Sequence, residues 1–305
     1  MGAGVTQAVL LLVFNRPELT KRVLDAVRTY RPRVFYVAAD GPRDRHVADA
    51  ERCRLTRHVA TAVDWPCEVH TRFQSRNLGC RDGVASAVDW FFAHEESGIV
   101  LEDDCVPMSS FFPFCDELLD RYRHDTRVMQ ICGSNIVGER LAIVDSYTFS
   151  RFGPVWGWAS WRRAWSHYDR HITYWPEARE RRTLADVLAD DTEVAAREAV
   201  YDRLYRGEID TWDYQWGLAK LLNSGLSIVP RENLISNIGF GDDATHTRGP
   251  DPRAALPTHD LSFPLAHPPF VTSSSGYDAA FIDAAGLRRH SAPHALSRFW
   301  HQWFK

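Results

Sequence analysis

The sequence predicts an α/β protein, a mainly parallel sheet flanked by helices. Three observations carry this expectation. Short apolar runs recur through the first 135 residues. The stretches between them place apolar residues at helical spacing, the alternation that builds parallel sheets. Each run also stops abruptly at a polar residue, Asn15, Asp40 or Glu102. Strands buried on both faces behave this way where their carboxyl ends meet a ligand.

The elements follow in order. Residues 8–14 form the first strand, and Pro17 opens a helix whose Leu19, Val23, Leu24 and Val27 share one face. Residues 34–39 are the second strand, halted by Asp40-Gly41-Pro42. Residues 68–73 are a shorter third. Asn77-Leu78-Gly79 turns into a helix carrying Val84, Val88, Phe91 and Phe92, and the run 98–101 follows. A helix through Phe114, Leu118 and Tyr122 then leads to a strand at 128–132.

Beyond residue 135 the periodicity weakens. Residues 152–165 are aromatic and Gly-interrupted, with helical spacing from Trp158 to Trp165. Residues 184–205 read as one amphipathic helix closed by Gly207, 212–223 as another, and 227–229 as a strand. Residues 249–275, rich in Pro, Ser and His, read as an irregular arm. The organisation expected is one continuous domain. Residues 1–135 form its first half, 136–250 its second, and 251–305 a C-terminal arm.

Composition excludes several classes. With 45% hydrophobic and 25% charged residues the chain reads as an ordinary globular protein. A net charge of −4 offers no field for nucleic acid. The six cysteines form no C-x-x-C pair, so no zinc site is expected, and several sit in apolar contexts suited to buried thiols in a reducing compartment. The apolar N-terminal run is too short for a signal peptide or a membrane span, which points to a cytoplasmic protein.

The chemistry centres on Glu102-Asp103-Asp104. Three carboxylates at a strand end repel one another unless something positive sits there, and a divalent cation carrying a phosphorylated ligand would serve. A solvated acidic turn is the plain alternative. Asn15 and Arg16, Asp40, and Arg76 with Arg81 at a helix entry would gather at the same crevice if the strands are parallel neighbours. There arginines could clamp phosphate, and Asp40 could accept from a base or ribose. Any one of these alone reads as a surface charge or ion pair. No Walker-A loop or G-x-G-x-x-G follows the first strand, so a nucleotide would be held by side chains and a metal.

Downstream, Trp156, Trp158, Trp161 and Trp165 read first as aromatic core, with one or two rings open to stacking on sugars. Asp213 lies between Trp212 and Trp216, where apolar surroundings raise a carboxyl pKa toward that of a general base. The plainer role is that Asp210 or Asp213 caps the following helix. The Gly-rich loop 237–247, with Thr245 and His246, reads as a surface loop or a lid over phosphate or metal.

In this order the segments resemble the GT-A (Rossmann-like) glycosyltransferases, most closely the N-acetylglucosaminyltransferase I type, from about residue 8 to 247. The pieces are Val13-Phe14-Asn15-Arg16, Ala39-Asp40-Gly41, Glu102-Asp103-Asp104 with Phe111-Phe112, Gly157-Trp158, Trp212-Asp213 with Trp216, and Thr245-His246. The resemblance implies a UDP-sugar donor bound by the half 1–135, an acceptor-side, catalytic subdomain at 136–250, and Mn²⁺ or Mg²⁺. Arg16 would contact the nucleotide, Asp40 the uracil, and Asp104 the metal, with Glu102 on the transferred sugar. Asp213 would deprotonate the acceptor hydroxyl, giving inversion, and the segment at His246 would close over the diphosphate. Asn15, Arg76, Arg81, Asp103 and Trp212 complete the donor side. Where the family pairs two acids after the Trp, this chain has Asp213-Tyr214.

The expected function is metal-dependent, inverting transfer of a sugar, such as a HexNAc, from a UDP-sugar to a hydroxyl acceptor. That acceptor would be a glycan, a lipid-linked intermediate, a protein or a small metabolite. The alternatives are a carbohydrate-binding protein with a structural cation and a sugar nucleotidyltransferase. The basic, aromatic stretch 288–305 either contacts an anionic membrane surface or packs back on the domain.

Overall fold

The computed structural model describes residues 6–188, 190–240 and 256–286. In chain order its first half runs β1 (Ala8–Val13), α1 (Pro17–Tyr30), β2 (Val34–Ala39), α2 (Asp49–Ala60), β3 (Glu68–Phe73), α3 (Gly79–His94), β4 (Ser97–Glu102), β5 (Cys105–Pro107), α4 (Phe111–Arg121) and β6 (Val128–Cys132). The second half runs β7 (Tyr147–Ser150), β8 (Trp158–Trp161), α5 (Arg162–Trp165), α6 (Trp175–Glu180), α7 (Thr183–Val187), α8 (Asp191–Tyr205), α9 (Asp213–Leu222), β9 (Leu226–Pro230), β10 (Ile235–Asn237) and α10 (Ser275–Ala284).

Eight strands form one sheet in the order β3-β2-β1-β4-β8-β6-β9-β7. β1 pairs in parallel with β2 and β4, β2 with β3, and β6 with β9. The pairings β4·β8, β6·β8 and β7·β9 are antiparallel. The protein is therefore α/β with a largely parallel, mixed sheet flanked by helices. β1 is buried throughout because both faces are covered. On one face Val9, Leu11 and Val13 meet Val23, Leu24 and Val27 of α1 and the phenylalanines of α4. On the other, Leu10 and Leu12 meet Ala87, Val88 and Phe91 of α3. A third core joins α7, α8, α9 and α10 beside the far half of the sheet.

Two sequence expectations change, and a helix unread in the sequence appears. Residues 158–165 are not one helix: Trp158–Trp161 is the strand β8 wedged between β4 and β6. Its two indoles enter opposite cores, Trp158 beside α3 and Trp161 beside α4, which is strand periodicity. The helix expected over 184–205 is two, because the Asp190 side chain accepts the amides of Thr192 and Glu193 and starts α8 afresh. Helix α2 escaped a reading of apolar spacing because its buried face is largely polar: Asp49, Cys53, Thr56 and Ala60.

The segment 256–286 packs into the second half. Asp278 of α10, 2% exposed, accepts from Ser150 Oγ and pairs with Arg151 at 2.8 Å. All six cysteines are free. No helix of the described residues is long and apolar enough to cross a membrane. The stretch 288–305 lies outside the described residues.

Candidate active site

The carboxyl ends of β1, β2 and β4 open onto one cavity of about 240 Å³, lined among others by Arg16, Asp40, Arg43, Arg72, Glu102 and Asp103. Strand register explains the convergence. Leu12 pairs with Glu102 on one side and Ala38 on the other, and Ala38 pairs with Arg72. Glu102, Leu12, Ala38 and Arg72 thus form one row across four strands, facing α3. At about 4.8 Å per strand, three steps separate Glu102 from Arg72 by roughly 14 Å. Gly83, Val84 and Ala87 of α3 roof the row.

Arg16 organises the acid end. It donates to Asp103 Oδ1 and lies 3.0 Å from Asp104 Oδ2, with side chains 14% (Arg16), 3% (Asp103) and 13% (Asp104) exposed. Burial opposes the Arg16 charge, but Asp103 and Asp104 outweigh it and raise its pKa. Burial also pushes the Glu102 carboxyl up, with the charges of Asp104 and Asp103 adding to the effect. Asp103 further accepts the Phe14 amide at 3.3 Å. Asp104 is the more open carboxylate of that pair.

The chain returns over Asp104 through β10, which pairs antiparallel with β5. Ile238 N donates to the Asp104 carbonyl at 2.8 Å, and a Cβ on Gly239 would lie 2.2 Å from Asp104 Oδ2. A larger residue there would have to displace the Asp104 carboxylate. Phe240 then meets the partly exposed Trp156 edge-on at 5.6 Å. Asp242, Asp243, Thr245 and His246 fall outside the described residues.

Asp40 is saturated. Its carboxylate accepts Gly41 N at 2.7 Å, Leu78 N at 2.9 Å, Gly79 N at 3.2 Å and Asn77 Nδ2 at 2.9 Å. Burial raises its pKa against the pull of those amides. Asp210 completes the same helix start, accepting Cys80 N at 3.1 Å and Arg81 N at 3.0 Å. Two acids from distant segments therefore cap α3 and satisfy its first amides.

Asp213 sits in the first turn of α9, whose N-cap is Trp212 with no side-chain cap bond. It accepts the Thr211 hydroxyl. Burial raises its pKa to about 6, against that hydroxyl and the first helix amides. Its charge also adds to the upward shift of Glu102, so the two acids share one neighbourhood. The partly buried Tyr168, stacked on Trp165 at 4.2 Å, feels the Asp213 charge as well.

The structure thus brings together Arg16, Asp40, Glu102, Asp103 and Asp104, with Asp213 beside them. Other expected residues lie elsewhere. Asn15 is 7% exposed and donates to Asp49 at 2.9 Å, holding α2. Arg76 is exposed, and Arg81 pairs with Asp82 at 3.1 Å. Trp212, 3% exposed, stacks on Trp158 at 5.6 Å in an indole core. Apolar spacing did not single out Arg43, Arg72, Gln74 and Cys80, which also line the cavity. The inward face of the polar edge strand β3 was the available signal for Arg72.

Among the described residues no group of three His, Cys, Asp or Glu side chains could hold a metal by itself. A cation here would depend on ligand oxygens for most of its shell.

No family model and no curated protein matches the chain. Among solved structures it is similar to the mannosyltransferase PcManGT from Pyrobaculum calidifontis in complex with GDP-Man and Mn²⁺. There the identity is 14% and the TM-score 0.38, over 64% of this chain and 52% of that one. It is also similar to HddC from Yersinia pseudotuberculosis, with 8% identity and a TM-score of 0.27 over 47% of this chain and 59% of that one. The chain spans little more than half the length of these two proteins. The architecture is α/β, an eight-stranded, largely parallel mixed sheet between helices.

Proposed function

We propose that the chain is a glycosyltransferase that moves a sugar from a nucleoside-diphosphate-sugar to a hydroxyl acceptor with inversion. The observation that supports this most is one shared neighbourhood. Arg16, Glu102, Asp103 and Asp104 stand at the end of β4, and Asp213, with its pKa raised to about 6, stands beside them.

In this reading the donor lies along the row from Arg72 to Glu102, with its diphosphate and sugar at the acid end. Arg16 supplies positive charge there and orients Asp103. Glu102 accepts from a hydroxyl of the transferred sugar. Asp104, the open carboxylate of the Arg16 pair, fits as the single protein ligand of a Mn²⁺ or Mg²⁺ held otherwise by donor oxygens and water. When bound, such an ion offsets charge growing on the leaving diphosphate. Asp213 takes the acceptor proton as the acceptor oxygen bonds the anomeric carbon and the anomeric C–O bond to phosphate breaks. General-base help of this kind contributes about 10²- to 10⁴-fold in rate.

Single-turnover transfer and donor binding test this together. Asp213→Asn is expected to bind donor as the parent does and to lose transfer by about 10²-fold or more. Asp104→Ala is expected to lose the part of donor binding that depends on Mn²⁺. Undiminished transfer by Asp213→Asn would remove the base assignment.

A further inference from the structure

The far end of the row ends in an anchored fork. Arg72 Nη1 donates to the Ser86 carbonyl of α3 at 3.1 Å, which holds the guanidinium plane. Its Nε–Nη2 edge has no partner among the described residues, and the residue lines the cavity. Gln74, immediately after β3, lines it too. The floor and roof between are small and apolar, Leu12 and Ala38 below and Gly83, Val84 and Ala87 above, a slot suited to a flat ring. Asp40, at the mouth of this slot, already accepts four different donors and has no lone pair left to read a base.

We infer that Arg72 reads the nucleobase of the donor, and that the base is guanine. The inference rests on the glycosyl-transfer reading for the placement of the diphosphate at the acid end, roughly 14 Å along the row. A fixed guanidinium edge offers two parallel donors. Guanine presents two adjacent acceptors to match it, O6 and N7, the pairing by which arginine selects guanine in other settings. Uracil presents acceptor, donor, acceptor, and adenine places a donor beside N7, so each leaves one arm of the fork unpaired. Cytosine offers O2 and N3 to the fork but leaves only its N4 amino group for Gln74, where guanine keeps both N1–H and its amino group. Gln74 also lines the cavity, and its Oε1 can accept from the N1–H or amino group of the guanine ring. Arg72 is thus a specificity residue of the donor site, distinct from the charge-bearing Arg16.

The experiment is calorimetry on the full chain with Mn²⁺, using GDP, CDP, UDP, ADP and inorganic pyrophosphate as probes. The unmodified protein is expected to bind GDP tightest. Arg72→Ala is expected to weaken GDP roughly ten- to hundred-fold, to the level of UDP, and to leave pyrophosphate unchanged. Arg72→Lys keeps the charge without the fork and is expected to lose the same preference. Circular dichroism and thermal unfolding matching the parent show that both variants are folded. A preference for CDP, UDP or ADP, or one that survives in both variants, overturns the guanine assignment while the transfer reading stands. Pyrophosphate binding that falls in step with GDP makes Arg72 a phosphate clamp and also overturns it. Binding of no nucleotide overturns both readings together.

Discussion

Asp210 caps a helix that begins 131 residues before it: its carboxylate accepts the amides of Cys80 and Arg81 at 3.1 and 3.0 Å. The segment that carries the proposed base Asp213 is thereby fastened to the helix that roofs the donor cavity. Gly79, at φ +82°, makes room, since a Cβ there would lie 2.6 Å from Asp210 Oδ2.

Asp210→Ala is expected to cost roughly 0.5–2 kcal/mol of stability, the range for a lost helix cap. Urea unfolding reads the loss. Gly79→Ala should cost at least about 1 kcal/mol, because left-handed backbone and the carboxylate contact both oppose it. An unchanged midpoint in both variants would show that the cap contributes nothing.

Arg16→Ala leaves Asp103, with its side chain 3% exposed, facing one backbone amide. Removing one partner of a buried pair costs about 3–5 kcal/mol, since a charge is left unpaired. The double variant Arg16→Ala/Asp103→Ala removes that charge as well. It is expected to recover a large part of the loss in a double-mutant cycle. A double variant as unstable as the sum of the singles would argue against the pairing.

Asp213 titrates near 6 in the folded protein, raised from 3.8. As a base it must be ionised, so transfer is expected to rise with pH through about 6 and level off above. Stability runs the other way. The folded state holds this proton more tightly, so the stabilising contribution is full below the unfolded value and is lost as pH rises through about 6. The difference of about two pKa units corresponds to about 3 kcal/mol. Asp213→Asn should therefore gain on the parent protein in urea unfolding as pH rises from 4.5 to 7.5. A pH-independent difference would show that the carboxyl is not perturbed.

Lys220 is 2% exposed and donates to Gln130 Oε1 and, at 2.8 Å, to Ser227 Oγ, both neutral. Burial lowers its pKa from 10.5 to about 8. Its stabilising contribution is present above the unfolded value and is lost as pH falls through about 8. Lys220→Met keeps most of the volume without the charge. Its stability relative to the parent is expected to improve by up to about 3 kcal/mol between pH 10 and pH 7. Guanidinium unfolding at the two pH values measures it. A flat difference would mean that the buried lysine is not strained.

The parallel half of the fold was legible because its strands are buried on both faces. Val9 to Val13 and Ile99 to Leu101 are apolar without interruption, and α1 and α3 carry one apolar face each. The far half was harder to read for the same physical reason. β8 sits between two cores, so Trp158 and Trp161 are both apolar and period two looks like period three over so few residues. α2 buries a polar face and gives no hydrophobic signal.

The site divides the same way. The run Glu102-Asp103-Asp104 after an apolar strand, and Arg16 immediately before Pro17 at the start of α1, are local patterns with local meaning: charge at a strand end.

The amino-acid sequence by itself determined the doubly buried strands β1, β2 and β4, the helices α1 and α3, and that acids and arginines collect at their ends, because periodicity and burial act over neighbouring residues. The tertiary structure alone decided what those groups do. Register set Arg72 in the row with Glu102, and chain return brought Asp210 onto α3 and Gly239 over Asp104. It also placed Trp212 in the core and filled the lone pairs of Asp40. Which lone pair is free depends on partners tens of residues away, and that occupancy is written in contacts between segments rather than in any one of them.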